Sequence, residues 1–470
     1  MLLRNYLTPF MRSFVLLCAV LCTPAAWSFD DADLRAAQSL RDHALKNSRA
    51  GRRVESLVKT APYRFSGTRA NWRAVAWGLR TLVDAGLKNV RLEPVDVPRW
   101  VRGEIEVRIE GDRAQTLEAV ALGGSVPTPG EGLGAPVLMV ESLDQLYAQP
   151  LAGVKGKIVF FNRRMERRAD GSGYGEAVSV RTRGAAEAGR RGALGVVIRS
   201  IGTNHDRVPH TGAMRYDDAA PKIPAAALSA VDADLLEERI RGEGAVRLRL
   251  RIGSRDAGRA TGANVLGEIP GSGSGIVLLA AHLDSWDITP GANDDGAGVA
   301  ILIEALRSIV GDGLKPRRTI RVLLSANEEF GLDGAKAYAR VHAAEIAQHM
   351  LALEADFGSG AVLRLNAGVA DGDWPQVQQM ARLLEPLGVA LGENGSQGGA
   401  DTGPLHQRGV PVLAPNQDGT RYFDVHHTAL DTPATIDREG IAQNVAVYAT
   451  LAWLAAQSEP FVRLPMTAGD

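Results

Sequence analysis

The sequence predicts an α/β protein: a mostly parallel mixed sheet flanked by helices, with a β-rich domain inserted into it. Three observations predict this. Beyond residue 275, a continuous apolar run at 276–281 and a mostly apolar one at 320–326 alternate with helical spacing at 297–310, as expected of strands buried on both faces of a parallel sheet. Ahead of residue 120, helical patterns followed by a strand read as the first pieces of the same sheet. Between the two, the chain becomes rich in glycine and proline and its apolar runs become short.

Taken in order, residues 31–60 set Leu34, Leu40, Leu45 and Val54 at helical spacing among charged positions. A second amphipathic pattern at 71–85 is stopped by Gly86, and 89–97 is the strand that follows. After the Gly/Pro-rich stretch 123–134 come short strands at 136–140 and 157–161, a small-residue helix at 184–193 and a strand at 194–199. A further Gly-rich stretch, 258–275, is expected to close this region. The organisation expected is a signal segment over 1–28, a first part of the α/β domain over 29–120, an inserted domain over 121–260 and the remainder of the α/β domain over 261–470.

With 470 residues and 45% hydrophobic content the chain can bury substantial cores and favours more than one domain. A formal net charge of -1 and the absence of a basic block exclude an electrostatic case for nucleic acid or for an anionic membrane. Arg4 and Arg12, the apolar run 13–22 and the small residues Ala26 and Ser28 form a cleavable export signal with a mature start at Phe29. The run is shorter than the about 20 residues a membrane span needs. The protein is therefore expected to be secreted or periplasmic, with no membrane attachment once the signal is cleaved. Cys18 and Cys22 both fall in that signal, so the mature chain would contain neither a disulfide nor a cysteine nucleophile.

Five segments offer metal-ligand residue types where hydrophobic runs end: His282 in AHLDSWD, Asp294 in GANDDGAG, Glu328 and Glu329 in SANEEFGLDG, Asp356 in LEADFG, and His427 in FDVHHTALDT. Two imidazoles among several carboxylates suit a pair of zinc ions better than magnesium or calcium. Singly, each has an ordinary explanation. A histidine at a strand end is usually a hydrogen-bonded structural group, acids beside glycines often cap a helix, and His426-His427 could be a surface turn. Joint occurrence in one α/β domain changes that weighting, because ligands in open sheets of this kind lie beyond the carboxyl ends of the strands. Asp284 then reads as the group that orients His282 and raises its basicity. Of the adjacent Glu328 and Glu329, one can ligate while the other contacts a bound water as general base.

In this order, His282-Leu283-Asp284, Gly291-Ala292-Asn293-Asp294-Asp295, Glu328-Glu329-Phe330-Gly331-Leu332, Asp356 and His427-Thr428 with Asp431-Thr432 resemble the co-catalytic zinc aminopeptidases of metallopeptidase clan MH. HLDSWD, KPRRTIRVLLSANEE, PHTGAMRYDDAAPKIPAAAL and FDVHHTALDT resemble, more narrowly, the carboxypeptidase Q family. The resemblance implies a zinc-exopeptidase fold with an inserted protease-associated domain and two zinc ions per chain. It implies that His282 and Asp356 hold one zinc, Glu329 and His427 the other, with Asp294 bridging and Glu328 as general base and acid, aided by Asp284. His427 is preferred to His426 because the family motif places Thr or Ser directly after the ligand. The family also often carries a cis peptide after the bridging aspartate, here Asp294–Asp295. The implied substrates are short peptides or dipeptides, with Asp401 in the loop 398–402 as a structural or substrate-orienting acid. A homodimer is left open. Two other readings on the same scaffold are a glutaminyl-cyclase-like aminoacyltransferase, which keeps one zinc and lacks the insertion, and a non-catalytic receptor with a degraded metal site.

Overall fold

The computed structural model describes residues 29–467, so the expected signal segment and its two cysteines lie outside the described residues. Two eight-stranded mixed sheets organise the chain. The first sheet runs, edge to edge, β1 (Lys88–Val101), β10 (Arg255–Ile269), β12 (Thr319–Ser325), β11 (Ile276–His282), β13 (His349–Glu354), β16 (Val412–Gln417), β14 (Val362–Gly368) and β15 (Ala390–Asn394). Its four central strands, β12, β11, β13 and β16, are parallel to their neighbours within that group, and antiparallel pairs flank them.

The apolar runs have the burial that the sequence requires. Along β11, Val277, Leu279 and Ala281 pack into the larger core, while Leu278 and Ala280 face a second one. The larger core lies under the helices Asp31–Asn47, Ala50–Thr60, Arg69–Asp84, Gly298–Gly311 and Arg438–Gln457, whose apolar residues meet that face. The second is closed by Tyr338 and Ala339 of the helix Asp333–Val341. With both faces covered, β11 carries no polar residue until it reaches its last position, His282.

The second sheet is ordered β3 (Gln115–Leu117), β2 (Ile105–Ile109), β9 (Arg247–Ile252), β5 (Leu133–Val140), β6 (Ile158–Phe161), β7 (Gly195–Arg199), β8 (Ala225–Leu228) and β4 (Ala119–Ala121). It has two cores of its own, one of which also takes in Trp100 of β1 with Phe65 and Trp286. Chain entry and exit lie side by side. β1 pairs with β10 as far as Val101 opposite Arg255, and β2 pairs with β9 from Ile105 opposite Ile252. Between them the Gly253 amide donates to the Glu104 carbonyl at 2.9 Å.

One expectation is corrected. The Gly-rich stretch 258–275 is for the most part β10, a 15-residue strand between β1 and β12. Its glycines serve close packing here: a β carbon at Gly267 would stand 2.9 Å from a Leu87 methyl and 3.2 Å from a Leu82 methyl.

Loops tie the second sheet's layer back onto the first. Arg167 forms a two-pronged ion pair with Asp424, the Thr203 hydroxyl donates to the same carboxylate at 2.8 Å, and the Thr203 amide donates to the Phe423 carbonyl at 3.0 Å. Among the described residues no helix is long and apolar enough to cross a membrane.

Candidate metal centre

The five segments converge at the carboxyl ends of the central strands. His282 closes β11, Glu328 and Glu329 follow β12, and Asp356 follows β13. Asp294 arrives on the irregular turn 292–297 ahead of the helix Gly298–Gly311, and His427 on the loop after β16. The His282 Nε2 atom lies 3.1 Å from Asp294 Oδ1, 3.6 Å from Asp356 Oδ1 and 4.0 Å from Glu328 Oε2. Opposite, His427 Nε2 lies 3.0 Å from Glu329 Oε2 and 3.3 Å from Asp294 Oδ2. Asp294 thus faces a histidine–carboxylate pair with each of its oxygens.

Several contacts fix these side chains. The Arg64 guanidinium, fully buried, donates to the carbonyls of Leu283, Pro290 and Gly291 at 2.8–2.9 Å and so holds the loop between β11 and Asp294. Asp431 accepts the backbone amides of Asn293 and Asp294 at 2.7 and 3.0 Å and the Asn293 side-chain amide at 3.1 Å. Asp295, which follows a cis peptide after Asp294, accepts the amides of His282 and Gly298, each at 3.0 Å. Asp284 lies 3.7 Å from His282 Nδ1 and accepts the Glu328 amide at 3.1 Å. His427 has a left-handed backbone (φ 61°), a conformation a histidine adopts at a cost of order 1 kcal/mol. Its Nδ1–H donates to the Thr211 carbonyl at 3.2 Å, which leaves the Nε2 lone pair for the centre.

His426 stacks on His427 with ring centroids 3.6 Å apart, and its Nε2 is 3.7 Å from Asp294 Oδ2, so both imidazoles reach the same carboxylate. Only His427 also meets Glu329. Asp401 is buried behind the centre, accepting the Ser325 hydroxyl at 2.7 Å, while its neighbour Ala400 lines the cavity. Arg64, and Asp431 as a loop anchor, carried no signal in the sequence beyond the position of Asp431 in the His427 motif.

The electrostatics follow from crowding acids out of water. Burial, then the charges of neighbouring acids, pushes the Glu328 and Glu329 carboxyls well above the usual carboxylate range, only partly opposed by His282. Burial raises Asp401 and Asp431 to about 7. Burial works against protonation of His282, but Asp356, Asp284 and Asp294 outweigh it and raise its pKa. Burial, with the Arg181 charge second, lowers that of His427. Such a cluster is stable when a multivalent cation balances it. Its donor atoms also fit one. Ligand atoms of His282, Asp294 and Glu329, of His282, Asp295 and Asp356, and of Asp294, His426 and His427 each lie within 4.8 Å of one another. Asp294 Oδ2 and Glu329 Oε1 are buried without a hydrogen-bond partner. Imidazoles and carboxylates in these numbers suit two zinc ions.

The centre forms the floor of a cavity of about 650 Å³, whose upper walls include Tyr174, Arg181, Met214, Phe330, Tyr422 and Phe423. Tyr174, Arg181 and Met214 come from the layer of the second sheet.

The model for peptidase family M28 matches residues 264–452. The chain is 34% identical over 415 residues to carboxypeptidase Q of Mus musculus, covering 88% of this chain and 86% of that protein, and 33% identical over 414 residues to carboxypeptidase Q of Homo sapiens, with the same coverage. It is similar to the crystal structure of a peptidase M28 precursor from Shewanella amazonensis SB2B, with TM-score 0.89 and 43% identity over 94% of this chain and all of that one. An aminopeptidase from Aneurinibacillus sp. strain AM-1, 20% identical with TM-score 0.63 over 90% of this chain and 98% of that one, shares the fold.

Proposed function

This chain belongs to peptidase family M28, and from that premise we propose that it is a zinc-dependent exopeptidase whose substrates are short peptides, dipeptides above all. The observation that carries this reading is the placement of Asp294 between two histidine–carboxylate pairs, His282 with Asp356 and His427 with Glu329. His282 and Asp356 would hold one zinc and His427 and Glu329 the other, with Asp294 shared. Bound there, paired zinc lowers the pKa of a water molecule and polarises a carbonyl group.

The rest is the work of side chains. Glu328 lines the cavity without a hydrogen-bonded protein partner for its carboxylate, and it takes the proton from the attacking water. It then delivers that proton to the amine nitrogen as the C–N bond breaks. Asp284 holds the backbone of Glu328 and faces His282 Nδ1, so it positions base and ligand together. Phe330, Tyr422 and Phe423 narrow the cavity and exclude bulk water from the reacting groups. Asp401 stays behind the site as an acid that positions Ser325 at the end of β12.

The layer of the second sheet acts as a protease-associated domain that covers the cleft, and residues 1–28 direct export to the periplasm or the exterior. The test is a panel of unblocked dipeptides and longer peptides assayed with the zinc-loaded protein, the chelated protein and the chelated protein after zinc is restored. Hydrolysis that disappears on chelation and returns with zinc is the expected result. A folded, zinc-loaded protein inert towards every peptide would sink the reading.

A further inference from the structure

Above the acidic floor of the cavity sits one guanidinium whose hydrogen bonds are incomplete. Arg181, on the helix Ser179–Arg190, is only 6% exposed and lines the cavity. Its Nη2 donates to the Tyr174 hydroxyl at 2.6 Å, but its Nε and Nη1 are buried with no hydrogen-bond partner. No carboxylate pairs with it in an ion pair within 4.0 Å among the described residues. A buried cation with two nitrogens unmatched is costly unless something supplies acceptors. Its place is also built for it. A β carbon at Gly212 would stand 2.4 Å from Arg181 Nη1, and the backbone there has φ +138°.

Arg181 is close to the reacting groups. The Tyr174 ring that it bonds meets His426 edge-on at a centroid distance of 5.3 Å and stacks on Phe423 at 5.0 Å, and His426 lies against His427. The cavity is therefore polarised, with carboxylates at its floor and this guanidinium in its wall.

We propose that Arg181, held by Tyr174, is the subsite for the free C-terminal carboxylate of the peptide. A planar guanidinium with free N–H groups accepts a carboxylate through paired, charge-assisted hydrogen bonds, and no neutral amide reproduces them. Specificity of this kind is exclusion as much as attraction. A peptide with an amidated C-terminus would have to press a neutral amide against a desolvated cation. The inference rests on the exopeptidase reading above and adds the residue that recognises the free carboxylate.

The experiment compares kcat/KM of the zinc-loaded enzyme on Ala-Ala, on Ala-Ala amide and on Ala-Glu α-amide, for the native chain, Arg181→Ala, Arg181→Lys and Tyr174→Phe. Zinc content and melting temperature are followed in each. The native enzyme is expected to prefer the free acid over the amide. In Arg181→Ala that preference falls by about 10- to 100-fold, the range for charge-assisted hydrogen bonds. Arg181→Lys recovers part of it, and Tyr174→Phe, which keeps the ring and removes only the hydroxyl, loses less. An unchanged acid-to-amide ratio in Arg181→Ala and Tyr174→Phe overturns the proposal. So does a loss confined to Ala-Glu α-amide, which would mark a pocket for an acidic side chain instead. A native enzyme inert to all three peptides would overturn the exopeptidase reading itself, whereas an active one with an unchanged ratio overturns only the role of Arg181.

Discussion

The His427 imidazole donates its Nδ1–H to the carbonyl oxygen of Thr211 at 3.2 Å, across the boundary between the two sheets. Thr211 lies in the connection between β7 and β8, and its own amide donates to the His427 carbonyl at 3.1 Å. His210 adds a second tie, its Nδ1 donating to the His426 carbonyl at 2.7 Å. The second sheet's layer therefore sets the tautomer and backbone of a residue at the metal centre as well as covering the cleft.

His427→Ala is expected to lower the zinc content to about one ion per chain. It removes the imidazole that meets both Glu329 and Asp294. His426→Ala, which removes a ring that meets Asp294 only, should retain both ions. Zinc analysis of the purified variants checks the pair, and the reverse pattern would transfer the ligand role to His426.

Glu328→Gln should keep its full zinc content and lose about 10²- to 10⁴-fold in kcat, the usual scale of a general acid–base group. The amide preserves shape and the backbone bond to Asp284, so a melting temperature close to native is part of the expectation. Near-native turnover with zinc bound would remove Glu328 from the chemistry.

Asp431→Ala leaves the Asn293 amide, the Asp294 amide and the Asn293 side chain without their acceptor in a buried place. A destabilisation of roughly 3 kcal/mol follows from the cost of stranding such donors. Because the loop carries Asp294, zinc affinity should fall with it. Urea unfolding and a zinc competition titration measure the two effects separately.

Removing the metals should make stability strongly dependent on pH. Asp401 and Asp431 are raised to about 7 by burial, and Glu328 and Glu329 are also raised, by burial with help from neighbouring acids. For an acid whose folded pKa lies above its unfolded value, the folded state binds more protons. Its contribution to stability is complete below the unfolded pKa near 4 and is lost as the pH rises through the folded value. The chelated protein should therefore lose melting temperature between about pH 4 and pH 7, and the zinc-loaded protein should change much less. Parallel melting curves across that range test it.

The residues at the ends of β11, β12 and β13 were legible because the strands are buried on both faces, so the polar side chains that follow their apolar runs gather at the site. Asp431 could be placed in a motif but not given its task, since the amides it holds are 137 and 138 positions away. Arg64 and Arg181 were silent for a related reason. Each looks like an ordinary arginine until tertiary packing buries it, Arg64 against three carbonyls and Arg181 against Tyr174 and Gly212. The misread stretch 258–275 shows the limit of composition. Glycine breaks a strand when it adds freedom, but in β10 it makes room for Leu82 and Leu87.

The side-by-side crossing at Glu104 and Gly253 has a topological consequence. β1 and β10 are the two arms of one antiparallel hairpin, and the whole second sheet occupies the position of its tip. A short turn grafted between Val101 and Arg255 could close the arms with their register unchanged, because that pair already faces across the ladder. The molecule so trimmed would keep every carboxylate and both imidazoles of the centre. It would also lose Thr211, Tyr174 and Arg181 together, leaving a floor of metal ligands open to solvent where the cavity wall had stood.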